Sequence, residues 1–84
     1  MLERGRVVIS LAGRDKGRLL AVVQEDKDRV LICDGKERPV DRPKSKNIRH
    51  VEVTQALLSE AEISTNRALR KALGRLNAEI NGNT

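Results

Sequence analysis

Three cations stand close together in one short, glycine-bounded stretch of the sequence. Arg14, Lys16 and Arg18 lie between or beside Gly13 and Gly17. Glycine reaches positive φ without a side-chain clash, so two glycines four residues apart allow a tight reversal of the chain. Burying even one of these cations without a partner would be strongly unfavourable, so the stretch is expected at the surface. The chemistry that this pattern offers is the binding of an anion.

A second basic segment follows at residues 36–49, with six Lys or Arg residues against two acidic ones. Pro43 favours an extended backbone at Arg42, and no helical or strand period runs through residues 42–47, which are therefore predicted to form an exposed loop. Two basic loops at the same end of a fold would form one patch. The candidate binding residues are Arg14, Lys16, Gly17, Arg18, Arg42, Lys44, Lys46 and Arg49.

Asp15 interrupts the basic run of the first of these loops. We interpret it as a turn-capping residue whose carboxylate orders the loop.

The cations of this first loop are predicted to lie between paired strands, whereas Lys44 and Lys46 lie on a longer loop and lose more conformational entropy when they meet a phosphate. The first set is therefore expected to contribute more affinity per charge.

Side chains that could catalyse a reaction are few. His50 is the only histidine, and no metal-binding pattern of Cys, Asp or Glu stands beside it, so we interpret it as a strand or phosphate-contacting residue. The glycines at 13 and 17 are followed by an arginine and a strand, whereas a P-loop needs Gly-Lys-Ser/Thr opening a helix. Cys33 stands in an apolar run and is predicted to be buried and unreactive. The sequence predicts no enzyme, no cofactor, no metal and no small-molecule substrate.

The charge balance favours a polyanionic partner. The chain has 17 Lys and Arg residues against 12 Asp and Glu residues, which gives a formal net charge of +5. The alternative is that this excess only keeps a small protein in solution. Because Phe, Tyr and Trp are all absent, and single-stranded RNA modules usually stack bases on aromatic rings, the expected partner is folded RNA recognised by shape and phosphate position.

Length and hydrophobic pattern predict one small β domain followed by a helix. A chain of 84 residues has room for one domain, and its single cysteine cannot form an internal disulfide. Asp34 and Gly35 predict a type I′ hairpin turn, and Pro39 places the strand after it at an edge. Short strands joined by tight turns favour a small antiparallel barrel. The predicted strands are residues 6–11, 19–23, 29–33, 37–40 and 48–53.

The last third of the chain changes to a helical period. A helix is predicted from about residue 65 to residue 81, with Ser64 or Thr65 as N-cap and Gly82 as the C′ residue, and residues 81–84 are expected to fray. Residues 54–58 are predicted to form a short helical turn. The barrel would then occupy residues 1–53, and residues 54–84 would be the turn and a helix packed on it. The apolar residues at helical spacing are Leu69, Ala72, Leu73, Leu76 and Ile80.

Neither a secretory signal nor a membrane span is expected. The first residues contain no uninterrupted apolar region of the kind found in signal peptides. No apolar run approaches the roughly 18 residues that a membrane helix needs. The cytoplasm is therefore the expected compartment.

Residues 5–8, 12–18 and 30–35, with Arg-Pro-Val at 38–40, resemble a KOW motif. The resemblance covers residues 4–50, and its most specific part is Gly-Arg-Asp-Lys-Gly followed at this distance by Asp-Gly. KOW proteins contain a small SH3-like barrel and occur among ribosomal proteins and transcription elongation factors. The chain is most similar to short bacterial RNA-binding relatives of a KOW protein of the archaeal and eukaryotic large ribosomal subunit. The resemblance implies ribosomal RNA and ribosomal proteins as partners, in translation.

A protein-binding adaptor of the translation or transcription machinery is the alternative function. SH3-like barrels serve many unrelated ends, so the fold does not decide between the two. The adaptor requires that the barrel leaves part of the apolar stripe of the helix uncovered.

Overall fold

The computed structural model describes residues 2–81, which form a five-stranded antiparallel sheet followed by one helix. The elements are β1 Arg6–Ser10, β2 Leu19–Asp26, β3 Arg29–Cys33, β4 Lys44–Asn47, a 3-10 turn Ile48–His50, β5 Val51–Leu57 and α1 Asn66–Asn81. The order across the sheet is β4-β3-β2-β1-β5, so the first three strands form a meander and the last two are its edges. This confirms the prediction of a mainly β fold with a C-terminal helix.

The sheet is curled, because a three-residue turn joins its two edge strands. In a flat sheet β4 and β5 would lie four strand spacings apart, or roughly 19 Å. The 3-10 turn Ile48–His50 advances the chain by only roughly 8 Å between them, at about 2 Å per residue. Register shifts in the β1–β5 and β2–β3 pairs mark irregularities of the bulge type, which bend strands. Within residues 2–81 the two edges form no ladder with each other, so the sheet is not closed.

Both faces of the curled sheet bury apolar side chains, which explains the uninterrupted apolar runs in its strands. Neighbours such as Val7 and Val8 join different clusters because side chains alternate across a strand. The apolar run of β2 is accordingly covered on both faces. The inner cluster contains Val8, Leu20, Val22, Val30, Ile32 and Val51. The outer cluster joins Val7, Ala21 and Cys33 to Leu58, Ile63, Leu69, Ala72 and Leu73.

Helix α1 packs on the outer face and begins at a defined cap. The Thr65 hydroxyl oxygen accepts a hydrogen bond from the backbone N–H of Ala68 at 3.1 Å, which confirms one of the two predicted N-caps. The apolar stripe is buried in its first turns but ends at Ile80, whose side chain is 56% exposed. Asn81 is the last residue of the helix, and the predicted C′ residue Gly82 and the predicted fraying of residues 82–84 lie outside the described residues. Among residues 2–81 no helix has the length and apolar character to cross a membrane.

Residues 37–40 lie in a compact loop and not in the predicted fourth strand. Gly35 has a φ of +79°, but Asp34 does not share a positive φ, which a type I′ turn needs at both central residues. Instead, the Asp34 carboxylate accepts hydrogen bonds from the backbone N–H groups of Lys36 and Arg38, each at 2.9 Å. The chain is folded back on itself by this side chain before a strand ladder can form.

The fourth strand comes later, at Lys44–Asn47, where the sequence predicted an exposed loop. It pairs only with β3 and contains no apolar residue, so neither alternation nor β propensity marks it. The helical turn predicted for residues 54–58 is also wrong, because β5 extends over Val51–Leu57. The predicted boundary after residue 53 therefore lies inside a strand.

Gly5→Ala is expected to destabilise the fold more than Gly17→Ala. Both glycines have positive φ, +94° and +85°, a conformation that costs other residues roughly 1–2 kcal/mol. An added Cβ at Gly5 would also collide with the Leu58 carbonyl oxygen, whereas at Gly17 it would meet nothing within 4 Å. Gly17→Ala should lower the free energy of unfolding by about 1 kcal/mol, and Gly5→Ala by at least about 2 kcal/mol.

Urea unfolding of the two variants measures this difference. Gly5 cannot move away easily, because its N–H donates to the Val22 carbonyl at 2.7 Å and its own carbonyl accepts from Leu58 N at 2.9 Å. Equal losses in the two variants would contradict the prediction, since only the shared backbone strain would then matter.

Candidate nucleic-acid interface

The loop between β1 and β2, residues 11–18, is a compact reversal that we term the first loop. Gly13 and Gly17 have φ values of +78° and +85°, and the N–H of Gly17 donates to the Ser10 carbonyl at 2.8 Å. The predicted glycine-bounded reversal is therefore confirmed. The cations that the first loop exposes are Arg14, Lys16 and Arg18.

These three cations differ in their partners. Within residues 2–81, Arg14 and Lys16 make no ion pair. Arg18 lies 2.9 Å from a carboxylate oxygen of Glu37, and both side chains are about half exposed. Exposed pairs of this kind contribute at most about 1 kcal/mol, so Arg18 can exchange its partner for a phosphate. The first loop thus offers two unpaired charges and a third that is weakly held.

Asp15 lies on the inner side of the first loop, and none of its side chain is exposed. Its Oδ2 lies 3.3 Å from the Arg38 guanidinium group and 4.0 Å from Lys44 Nζ, while its Oδ1 accepts no hydrogen bond from a described residue. The prediction that this carboxylate caps its own turn is therefore wrong. Asp15 instead ties the first loop to cations of two later segments, and one carboxylate shared by two cations leaves the surface positive.

Lys46 is buried and supports the first loop from β4. Its Nζ donates hydrogen bonds to Ser10 Oγ and to the Ala12 carbonyl, both at 2.7 Å. Burial lowers the pKa of Lys46 from its ordinary value, although the nearby charge of Asp15 opposes that effect. Among the candidate binding residues that are cations, Lys46 is the one that is buried, so its charge supports the fold.

The other candidates of the second basic segment lie in three places. Lys44 is half-buried in β4, Arg42 is exposed in the loop before it, and Arg49 is exposed in the 3-10 turn. The His50 carbonyl accepts a hydrogen bond from Leu11 N at 2.8 Å, which brings that turn beside the first loop. The structure thus joins β4 and the 3-10 turn to the first loop. For Arg42, no hydrogen bond or ion pair with the first loop occurs within residues 2–81.

The first loop, β4 and the 3-10 turn enclose an open groove of about 370 Å³, which we term the strand groove. Three of its lining side chains are cations, and none of the described lining residues is acidic. A phosphate entering this groove would therefore meet donors without a repelling carboxylate on the wall. The lining residues are Ala12, Gly13, Arg29, Lys44, Ser45, Lys46, Asn47 and His50.

Arg29 and Arg38 belong to this interface, although sequence reasoning did not select them. Arg29 reaches across from β3 and donates to Ser45 Oγ at 3.0 Å and to the Ser45 carbonyl at 3.2 Å. Its place in the groove depends on the pairing of β3 with β4, which no local pattern indicates. For Arg38, the only available signal was the basic composition of residues 36–49.

The described part of the chain offers few side chains for metal binding or for nucleophilic chemistry. Residues 2–81 contain no group of three or more His, Cys, Asp or Glu side chains that could hold a metal ion. Burial, with the charge of Asp34, raises the pKa of the Cys33 thiol to about 11. Cys33 is therefore an unreactive thiol at neutral pH, and its predicted place as a small buried residue is confirmed.

Neither the models of known protein families nor the curated proteins give a match to this sequence. The functional interpretation of the chain therefore depends on the geometry of this surface. Its components are the exposed cations of the first loop, the strand groove beside them and the buried carboxylate that ties the surrounding segments together.

Proposed function

We propose that this chain is an RNA-binding module of the KOW type, which recognises folded ribosomal RNA through its phosphates and shape. The observation that carries the proposal concerns Arg14 and Lys16, which form no ion pair within residues 2–81. They lie on the loop that lines the strand groove, and the described lining residues of that groove include no carboxylate. A phosphate backbone is the polyanion that fits such a surface, because each phosphate neutralised by Lys or Arg releases condensed counterions. In this proposal the module acts in translation, in the cytoplasm, and ribosomal proteins are further partners.

The shape of the sheet supports the SH3-like part of the proposal. A meander of three strands, two edge strands and a short turn that joins those edges form a curled, unclosed antiparallel sheet, and an SH3-like barrel has the same short strands and tight connections. The loop that resembles the KOW motif most specifically, residues 13–17, is the loop that presents Arg14 and Lys16. The resemblance and the basic surface therefore point to the same segment.

The surface is suited to phosphates more than to base sequence. Arginine offers a planar fork and lysine a mobile point charge, and both bind the RNA backbone without reading bases. Fluorescence anisotropy with a labelled RNA hairpin tests this directly. Sequence-scrambled hairpins of the same fold should compete nearly as well as the original, and single-stranded homopolymers should compete poorly. Homopolymers that compete equally well would contradict recognition of shape.

Removing two charges from the first loop should weaken RNA binding more than removing two charges elsewhere. Arg14→Ala with Lys16→Ala is expected to lower affinity by about 10- to 30-fold, since each phosphate contact contributes roughly 0.7 log units near physiological salt. The matched control is Arg67→Ala with Lys71→Ala, two exposed cations of α1 that form no ion pair within residues 2–81. Anisotropy titrations measure both affinities.

Arg67 and Lys71 are a better control pair than Lys44 and Lys46. Replacing Lys44 and Lys46 by alanine would remove the same charge, but Lys46→Ala would also break the two hydrogen bonds that support the first loop. Thermal melts must accompany the titrations, since an unfolded variant would mimic lost binding. Equal losses from the two double variants would mean that only net charge matters and that the first loop is not the contact surface.

The ribosomal part of the proposal has its own test. Crosslinking in cells, followed by sequencing of the attached RNA, should recover ribosomal RNA well above its abundance in the input. Crosslinks spread over messenger RNA in proportion to abundance would contradict a ribosomal target while leaving RNA binding intact.

A protein-binding adaptor is a second candidate function, favoured by an exposed apolar area. Ile80 is 56% exposed and Leu57 is 50% exposed. Ile80 lines a groove of about 200 Å³ between α1 and the sheet, together with Val7 and Leu76. Purification of the tagged chain with and without nuclease separates the two candidates. RNA that co-purifies supports the first, and a protein partner that stays after nuclease treatment supports the second.

A further inference from the structure

A second groove, of about 500 Å³, opens at the other end of the first loop, and we term it the helix groove. It lies between the first loop, the start of β2, the loop at residues 34–43 and helix α1. Its volume falls in the range of about 300–1,000 Å³ that is usual for small-molecule sites. The helix groove is therefore large enough for more than a single phosphate.

Two leucines and two glycines line the helix groove among charged and polar residues that include Lys36 and Asn77. Leu19 and Leu73 line it, the former half-buried and the latter 7% exposed. Gly17 and Gly74 line it as well, and a Cβ added to either would meet nothing within 4 Å. A glycine inside a helix lowers helix stability, so Gly74 is an unfavourable choice for α1 alone. In the fold, the missing side chain of Gly74 leaves open space beside the two leucines, which form the floor of the groove.

Two arginines line this groove, Arg18 in an exchangeable surface ion pair and Arg70 in a hydrogen bond to the backbone. Arg18 lies 2.9 Å from Glu37, and Arg70 Nη1 donates to the Gly35 carbonyl at 2.7 Å. RNA-binding proteins stack unpaired bases on aromatic rings or on arginine planes, and this chain has no Phe, Tyr or Trp. Its one histidine, His50, lies at the strand groove, so in the helix groove the planes that can hold a base are those of Arg18 and Arg70.

We propose that the helix groove holds one unpaired base of the bound RNA, on the floor of Leu19 and Leu73 and against the guanidinium planes of Arg18 and Arg70. The inference rests on the proposed RNA binding and adds to it a preference for RNA with an extruded nucleotide. Asp34 also lines the groove and supplies a carboxylate that accepts a hydrogen bond from an exocyclic amine. The bases that carry such an amine are adenine, cytosine and guanine.

Two RNA hairpins test the proposal. One carries a single bulged adenosine, and the other carries an abasic nucleotide at the same position, so that both have the same number of phosphates. The protein is expected to bind the adenosine hairpin about 10-fold more tightly, because the base adds a stacking contact that the abasic nucleotide lacks. Gly74→Leu should fill the groove and reduce this ratio to about 1, without changing the affinity for the abasic hairpin.

A folded variant with a blocked base site should still bind the abasic hairpin, whereas an unfolded variant should bind neither hairpin. Leucine is a better helix former than glycine, so Gly74→Leu should melt at the same temperature as the unmodified chain or higher. If Gly74→Leu does not fold, Arg70→Lys takes its place, since it keeps the charge but removes the planar group. Arg70→Lys should likewise remove the preference for the bulged base.

The outcomes distinguish the proposed base site in the helix groove from the proposed RNA binding as a whole. Equal affinity of the unmodified protein for both hairpins would overturn the base site and leave phosphate binding in place. A preference for the adenosine hairpin that survives in both Gly74→Leu and Arg70→Lys would also overturn it, because the base would then be held elsewhere. Failure to bind either hairpin would overturn the proposed RNA binding itself.

Discussion

Raising the salt concentration from about 50 mM to about 200 mM is expected to weaken binding to a folded RNA by about 60- to 1,000-fold. The described surface presents exposed or half-exposed cations on the first loop, β4 and the 3-10 turn. If about four to six of them contact phosphates, log K should fall against log salt with a slope of about −3 to −5. A flat response would contradict a phosphate-binding surface.

The same titration series identifies the residues that contact phosphate. Arg14→Ala with Lys16→Ala should reduce the magnitude of the slope by about 2, or one unit for each lost contact. The control pair Arg67→Ala with Lys71→Ala should leave the slope unchanged. An equal reduction in both pairs would place the contacts on α1 as much as on the first loop and would contradict the proposed interface.

Val22→Asp is expected to unfold the chain. Val22 is completely buried in the inner cluster, and the cluster consists of apolar residues that offer a carboxylate no partner. Burying an unpaired charge in such a place costs several kcal/mol, which exceeds the stability of about 5 kcal/mol expected for a domain of this size. Ile32→Asp should have the same effect, because Ile32 is equally buried in the same cluster.

Circular dichroism and urea unfolding measure this loss against a matched control. Val53→Asp makes the same chemical change in β5, where the side chain is 49% exposed, and should alter the free energy of unfolding by less than about 1 kcal/mol. A folded Val22→Asp variant with a native melting temperature would show that the inner cluster is not the stabilising core.

The binding surface and the fold depend on each other through a small number of buried polar groups. Asp15 holds Arg38 and Lys44 around the first loop, and Lys46 holds the loop itself through Ser10 and Ala12. These contacts restrain the segments that carry the exposed cations, so less conformational entropy is lost when RNA binds. Asp15 and Lys46 are thus buried structural charges, whereas Arg14 and Lys16 remain in solvent.

Features that depend on neighbouring residues could be predicted from the sequence. The apolar runs of β1, β2 and β3, the positive φ of Gly13 and Gly17 and the helix after Thr65 all agree with the structure. Strand alternation, glycine turns and N-caps act over a few residues, so a short window of sequence contains the whole cause. The exposure of Arg14 and Lys16 follows from the same local rules.

Only the tertiary structure decided which distant residues meet. A strand at Lys44–Asn47 exists because the edge of β3 offers it backbone hydrogen bonds, and its own side chains do not favour a strand. Asp15 is not a local cap, because its carboxylate lies beside Arg38 and Lys44. Lys46 supports the first loop because β4 places its Nζ within hydrogen-bond distance of the Ala12 carbonyl. The free energy of a charged side chain depends on its burial and on the charges around it. Those surroundings come from segments more than twenty residues away, so no local pattern in the sequence contains them.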